Sequence, residues 1–400
     1  MSRTALAIPE LIDQIVQQGQ RDDCQVLSIV AKRFTIPSQR RLFRTIVVPT
    51  DGACERLHAL LSSSPHLAAH ARHFGVNLSN VKQPEPLVVL DMLQGLKHFT
   101  ITAYHEDELS WPDIDAGVRS AIYRALQRPG VKSLHLDSID EIPRALLRYG
   151  IHTFSHLTII GVLTLDENDS EQPDWITARP LTDDDNGPLQ KLQMAIVGEA
   201  GSFPIYTLLR QPEMRPALRH LPWICIVYDR AGWDFLDDAG LFGNLKEVVL
   251  TWVFMGSRDA EALGTQHPFD LPFLPNLRKI SLLVVAPLTG MWVDAFDFIG
   301  EAVTLSEKTP ALEDLRLIID PSAVVEDEVE LVLPPPKPIA FFADPRYAER
   351  LPCLRRISCF KTERSTLGLD DFTVYMGAVF PAPLNDGILY CGMHSPASFD

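Results

Sequence analysis

The sequence has 400 residues, of which 46% are hydrophobic and 22% charged, so it can bury a large core and lacks the composition of a disordered chain. Its 52 acidic and 36 basic residues leave a net charge of −16, which opposes nucleic-acid binding because phosphate neutralisation supplies most of that affinity. No apolar segment suits a signal peptide or a membrane-spanning helix, and the six cysteines form no CxxC pair. We therefore expect a folded protein of the cytosol or nucleus, without membrane contact, disulfide framework or zinc site.

The chain opens with a predicted amphipathic helix over residues 9–18. Pro9 suits the first helical position, where a missing N–H costs nothing, and Gly19 suits a left-handed residue after the helix end. Apolar residues recur at intervals of three and four, which puts them along one stripe. The stripe consists of Ile8, Leu11, Ile12, Ile15 and Val16. Another surface is needed to cover it.

Two further short helices are predicted before residue 48. Asp22 or Asp23 can cap a helix through CQVLSIVAKRF, and Pro37 begins a third piece, PSQRRLFRT. The second helix has one apolar face, formed by Val26, Leu27, Val30, Ala31 and Phe34. A unit of this size buries too little surface to be robust alone. Either it caps the rest of the chain, or another protein completes it.

The first 48 residues resemble the F-box motif, in the F-box-like form common in mushroom-forming fungi. The first part of the motif is matched by Ile8, Pro9, Glu10, Leu11, Ile12 and Ile15, the second by Leu27, Val30, Lys32 and Arg33, and the third by Arg40, Leu42 and Phe43. Two positions depart from it: Ile8 replaces the usual Leu, and Phe34 stands where the aromatic is usually Trp. Both departures keep the side chain apolar.

The resemblance implies that residues 1–48 dock on the Skp-type linker subunit of a cullin ubiquitin ligase, while the rest of the chain recruits a target protein. The residues implied in linker binding are Ile8, Pro9, Leu11, Ile12, Ile15, Leu27, Val30 and Phe34. The family's linker is acidic, and residues 1–48 carry seven Lys and Arg against four acidic residues, so long-range attraction favours this partner.

Residues 49–400 carry an irregular repeat in which apolar residues occupy the first, fourth and sixth of six positions. Ten copies begin at positions 71, 96, 131, 154, 189, 221, 245, 277, 312 and 354. Their spacing of 23 to 42 residues suits one strand plus a helix or loop per copy, with helices predicted from Asp115 and from Met291. Strands alternating with helices predict an α/β fold with a parallel sheet and outer helices.

The pattern is similar to a leucine-rich repeat, and this resemblance implies a curved solenoid. The asparagine expected three positions after each copy is absent, since Tyr104, Ile139 and Val162 occupy that position in the first three clear copies. An irregular solenoid is therefore expected, and a plain α/β domain is the alternative. If the solenoid forms, residues between the apolar ones face its concave side. The candidate target-binding surface there comprises Val249, Leu283, Ile318, Phe360, Arg316 and Arg356.

Other features favour surface roles over chemistry. His66, His70 and His73 have helix-compatible spacing, but no nearby Cys or Asp completes a metal site, so a solvated helix face is expected. Acidic segments 165–174 and 182–187 lack the alternating ligands of a calcium loop, and the proline-rich segment 325–338 suits a stiff spacer. No catalytic motif occurs. We therefore expect a ubiquitin-ligase adaptor that is not an enzyme and uses no cofactor or metal; the alternative is a ligase-independent protein-binding scaffold.

Overall fold

The computed structural model is an α/β protein, which confirms the predicted α/β class and the parallel arrangement of its main strands. It describes residues 9–83, 85–103, 109–161, 165–166, 189–195, 204–227, 232, 235–236, 238, 241–253, 274–285, 309–320, 336, 338–362 and 368–394. Ile8, the predicted helix from Met291, the acidic segment 182–187 and most of segments 165–174 and 325–338 lie outside the described residues. The chain divides into two compact units, residues 1–178 and 179–400.

The first unit begins with three helices, α1 (Pro9–Gln18), α2 (Arg21–Val30) and α3 (Lys32–Leu42). The bounds of α1 are those predicted. Gly19 does not have a positive φ, so the predicted left-handed stop is wrong, and its N–H donates to the Ile15 carbonyl over 3.1 Å. Ala31 has an extended backbone, with a φ of −152°, and this residue separates α2 from α3. The predicted second helix is therefore two helices, and Pro37 lies inside α3 rather than at its start.

The remaining helices of the first unit alternate with its strands. The α-helices are α4 (Asp51–Ser63), α5 (Val89–Met92), α6 (Ala116–Leu126) and α7 (Arg144–Thr153), and 3-10 helices span Pro65–His70, Glu85–Val88 and Trp111–Asp113. Helix α6 confirms the helix predicted from Asp115. The Asp115 carboxylate caps it by accepting the N–H groups of Gly117 and Val118 at 2.7 and 3.2 Å.

The strands of the first unit form one parallel array and two short pairs. They are β1 (Thr45–Val48), β2 (His73–Asn77), β3 (His98–Thr102), β4 (Leu109–Ser110), β5 (Ser133–Asp137), β6 (Ile139–Asp140), β7 (Ile142–Pro143), β8 (His156–Ile160) and β9 (Leu165–Asp166). The order β1-β2-β3-β5-β8 is parallel throughout, with β4 paired to β6 and β7 to β9.

The second unit continues the same plan. Its strands are β10 (Lys191–Ala195), β11 (Trp223–Val227), β12 (Glu247–Val253), β13 (Lys279–Val285), β14 (Asp314–Asp320), β15 (Arg356–Thr362) and β16 (Leu389–His394), each parallel to the next. Its described helices are Pro204–Leu209, Pro212–Met214, Arg215–Arg219, Ala340–Ala343, Tyr347–Arg350, Leu369–Val379 and Pro381–Asn385.

All ten predicted repeat copies contain a strand, and each strand begins at the third residue of its copy. The fourth and sixth positions of each copy are buried, as in Phe74 and Val76 of β2 or Ile357 and Cys359 of β15. Strands β1 and β16 are additional to the prediction. The segment FRTIVV from Phe43 fits the repeat spacing, so β1 could have been found from the sequence. Residues 45–48 are consequently strand, not part of a purely helical unit.

Backbone hydrogen bonds link successive copies just before their strands begin. The carbonyl at the second position of one copy accepts the N–H groups of the second and third positions of the next. The Lys97 carbonyl accepts from Lys132 and Ser133 over 2.7 and 3.1 Å. The same arrangement recurs in the second unit, where the Arg278 carbonyl accepts from Glu313 and Asp314. The strands are thus held in register just before they begin.

Candidate functional site

The N-terminal helices share a small core of their own. Ile12 and Val16 of α1 are buried together with Cys24 of α2 and Phe34 of α3. Leu27, Ala31 and Leu42 pack against this core and are partly buried. Two of the residues predicted to bind a linker, Ile12 and Phe34, therefore hold the helices together and offer little surface to a partner.

The same helices leave a second set of apolar side chains exposed. Leu11, Ile15 and Val30 of the predicted set are exposed, as is Pro9. Val26, Ile29 and Ile36 are also exposed, although the sequence did not single out Ile29 and Ile36; the exposed fraction reaches 84% at Ile29. Large apolar side chains grouped at exposed positions mark an interaction surface.

Helix α2 accounts for most of this exposure because it has two apolar stripes. Cys24 and Leu27 face the small core, whereas Val26, Ile29 and Val30 share another face at spacings of three and four. We call these three residues the α2 stripe. A helix that is apolar on two sides requires two partners. The spacing of the α2 stripe is visible in the sequence, but only one apolar face was predicted for residues 26 to 34.

The first unit also carries a polar sheet face. Alternate residues of its strands, which were predicted to face away from the core, are partly or fully exposed: His98, Thr100, Thr102, Ser133, His135 and Asp137. The Nε2 atom of His73 lies 2.8 Å from the Thr100 hydroxyl, and the rings of His73 and His98 are 6.1 Å apart. Burial lowers the pKa of His135, against the opposing effect of Asp137. Neutral imidazoles and hydroxyls here can donate and accept hydrogen bonds.

The histidines predicted on one helix face are arranged differently. His66 and His70 lie in the 3-10 helix Pro65–His70, and His73 begins β2, so the predicted helix through these residues is wrong. Burial lowers the pKa of His70, and the positive charges of Arg40, His66 and Arg72 lower it further. Within the described ranges, no three or more His, Cys, Asp or Glu residues are placed to hold a metal ion.

The predicted target-binding residues of the second unit do not form one exposed surface. Val249 and Ile318 are each 3% exposed, so these two are corrected to buried positions. Leu283, Phe360 and Arg316 are partly exposed, and Arg356 is exposed. The physical reason is that this face of the central strands is itself closely packed, since Thr251 and Ser281 are buried there together with Val249 and Ile318.

A smaller cluster remains accessible at strands β15 and β16. The Arg356 guanidinium lies over the Tyr390 ring at 4.6 Å from its centroid, and the rings of Phe360 and Tyr390 are 5.8 Å apart. A Cβ atom at Gly392 would come within 3.1 Å of the Tyr390 ring and 3.3 Å of the Phe360 ring, so glycine leaves room for this packing. Tyr390 is about half exposed. Arginine and tyrosine are over-represented at the energetic centres of protein interfaces.

No family model matches the sequence, and no curated protein is significantly similar to it. The helices within the described ranges are all too short or too polar to cross a membrane.

Proposed function

We propose that the protein is an F-box-like adaptor of a Skp/cullin ubiquitin ligase, with a leucine-rich-repeat-like region that recruits a target. In this proposal the protein performs no chemistry itself. It holds the target near a ubiquitin-charged enzyme and supplies proximity. Such a role belongs in the cytosol or nucleus.

The observation that carries the proposal is the exposed apolar surface of the N-terminal helices. Leu11 and Ile15 occupy one face of α1, and the α2 stripe is still more exposed. Because Ile12, Val16, Cys24 and Phe34 already supply these helices with a core, the exposed residues are not needed for it. Docking on a linker subunit would remove this apolar area from water.

The parallel strands support the second half of the proposal. The strands of the first unit place polar side chains, among them His98, Thr100, Ser133 and His135, on the face opposite the buried fourth and sixth positions. A scaffold that varies these residues from strand to strand can specify a target without changing its core. The cluster of Arg356, Phe360 and Tyr390 provides the amphipathic side chains that such contacts favour.

Co-purification with a purified Skp-type linker subunit tests the proposal. The test variant is Leu11→Asp with Ile15→Asp, which places two charges on the exposed face of α1. The matched control is Gln14→Asp with Gln18→Asp, which adds the same charge at exposed positions of the same helix. We expect the wild-type chain and the control to retain the linker, and the test variant to lose it.

Failure of the wild-type chain to bind the linker, or equal retention by both variants, would contradict the adaptor proposal. The ligase-independent scaffold would then be the better description. Circular dichroism on each variant separates lost docking from lost folding, because the substituted positions are exposed and should leave the helical signal unchanged.

A further inference from the structure

The residues immediately before the first strands form a row of basic side chains. Arg44, Arg72, Lys97 and Lys132 occupy equivalent positions, and each backbone carbonyl accepts two N–H groups from the next copy. The Arg44 carbonyl, for example, accepts from Arg72 and His73 at 2.9 Å each. Neighbouring parallel strands are about 4.8 Å apart, so the four residues span about 14 Å. We call them the basic row.

The positive charge of the basic row is not neutralised within the described part of the chain. Arg44, Lys97 and Lys132 are exposed, and no described carboxylate forms an ion pair with them. The guanidinium of Arg72 donates to the carbonyls of Ala69, Ala71 and Gly95 at 3.0 to 3.1 Å, and these are neutral acceptors.

The residues that follow the basic row add no negative charge. They are Thr45, His73, His98 and Ser133, and they start strands β1, β2, β3 and β5. Burial lowers the pKa of His98, and the charges of Lys97 and Arg44 lower it further. The row is thus followed by neutral or basic groups and by no carboxylate.

Charged residues near the strand starts of the second unit form ion pairs. Lys279 forms an ion pair with Glu247 on the adjacent strand, and Arg278 lies 3.7 Å from Glu313. Arg316 and Asp314 are paired at 2.9 Å. At the second position of the copies, Arg278 is thus followed by Glu313, whereas Arg44, Arg72, Lys97 and Lys132 follow one another with no acidic residue at that position. The longest basic run at this position in the second unit is Lys246 and Arg278, so the row of four basic residues is specific to the first unit.

We propose that the basic row binds an acidic polypeptide segment of a partner protein. A span of about 14 Å matches four to five residues of extended chain at about 3.3 Å per residue. A protein segment is favoured over nucleic acid because a short acidic run can be confined to the four cations, whereas a nucleic acid would extend beyond them onto a chain whose net charge is −16. The site does not depend on linker docking, so it would serve an adaptor or a scaffold equally.

Fluorescence anisotropy with a labelled peptide of about ten glutamates tests this site on the full chain. The test variant is Arg44→Glu with Lys97→Glu. The matched control is Lys246→Glu with Arg355→Glu, which reverses the same charges at exposed, equivalent positions of the second unit. We expect the test variant to bind about tenfold more weakly than wild type, the control to lose less than about twofold, and wild-type binding to weaken as salt rises to about 0.3 M.

Three results would overturn the proposal: no measurable binding by wild type at low salt, equal losses in the two variants, or tighter binding of a single-stranded oligonucleotide of matched charge. The variant Leu11→Asp with Ile15→Asp should bind the peptide as wild type does. That measurement keeps failure of this proposal distinct from failure of linker docking.

Discussion

Replacing Phe34 with alanine should unfold the N-terminal helices while leaving the strands intact. Phe34 is 8% exposed and is one of four buried residues that form the core of α1, α2 and α3. Truncating a buried Phe to Ala costs about 3–5 kcal/mol in a well-packed core. A core of four residues has little else to oppose that loss, so local unfolding should become accessible below the global free energy of unfolding.

The matched change is Ile29→Ala, on the α2 stripe. Ile29 is 84% exposed, so its truncation should change the free energy of unfolding by less than about 0.5 kcal/mol. Amide hydrogen exchange at neutral pH measures both effects. For Phe34→Ala we expect protection over residues 9–42 to fall by about a hundredfold or more, with strands β3 and β5 unchanged.

Two results would refute this reasoning. If Ile29→Ala reduced protection as strongly as Phe34→Ala, the α2 stripe would be packed inside the protein, and the proposed docking surface would lose its basis. If Phe34→Ala left the exchange of α1 unchanged, the four buried residues would not act as a core.

Two further predictions concern thiols and turns. Burial raises the pKa of Cys54 to about 12 and that of Cys225 to about 11, whereas Cys353 is exposed. Iodoacetamide at pH 8 should therefore alkylate Cys353 in the native protein well before either of them, as peptide mass spectrometry would detect. Rapid labelling of Cys225 would contradict its burial. Gly161 and Gly387 both have a positive φ, which costs a residue with a Cβ atom about 1–2 kcal/mol. Only at Gly161 would the Cβ atom also meet neighbouring backbone, at 3.3 Å, so Gly161→Ala should lower the free energy of unfolding in urea by more than Gly387→Ala. Equal losses would show that this crowding has no effect.

Strand positions were predictable because their pattern is local. Alternate residues of a strand point to the same face, and each six-residue copy has apolar residues at such alternate positions. Phe99 and Ile101 therefore indicate β3 without reference to any neighbouring strand. Strand β16 was missed because the six residues equivalent to a repeat copy, Asp386 to Cys391, begin with an aspartate instead of an apolar residue. The bounds of α1 were likewise readable from Pro9 and the apolar spacing after it.

The candidate surfaces were predictable only in part. Leu11, Ile15 and Val30 were selected from the sequence and are exposed, whereas Ile12 and Phe34 satisfy the same motif and are buried. Apolarity alone cannot separate these two groups, because each residue would gain free energy from burial against any partner.

The sequence by itself determined where the ten strands of the repeat copies lie, that they are parallel, and that three short helices precede them, since these features follow from local periodicity and connection length. Folding determined which apolar residues are used internally. In α2, Cys24 joins the small core with Phe34, and the α2 stripe remains uncovered. In the second unit, Val249 is buried on the strand face that was predicted to be open. Folding also assembled the basic row, whose members are 25 to 35 residues apart in sequence. Burial and electrostatic potential are sums over neighbours distant in the chain, so they exist only once the strands are aligned.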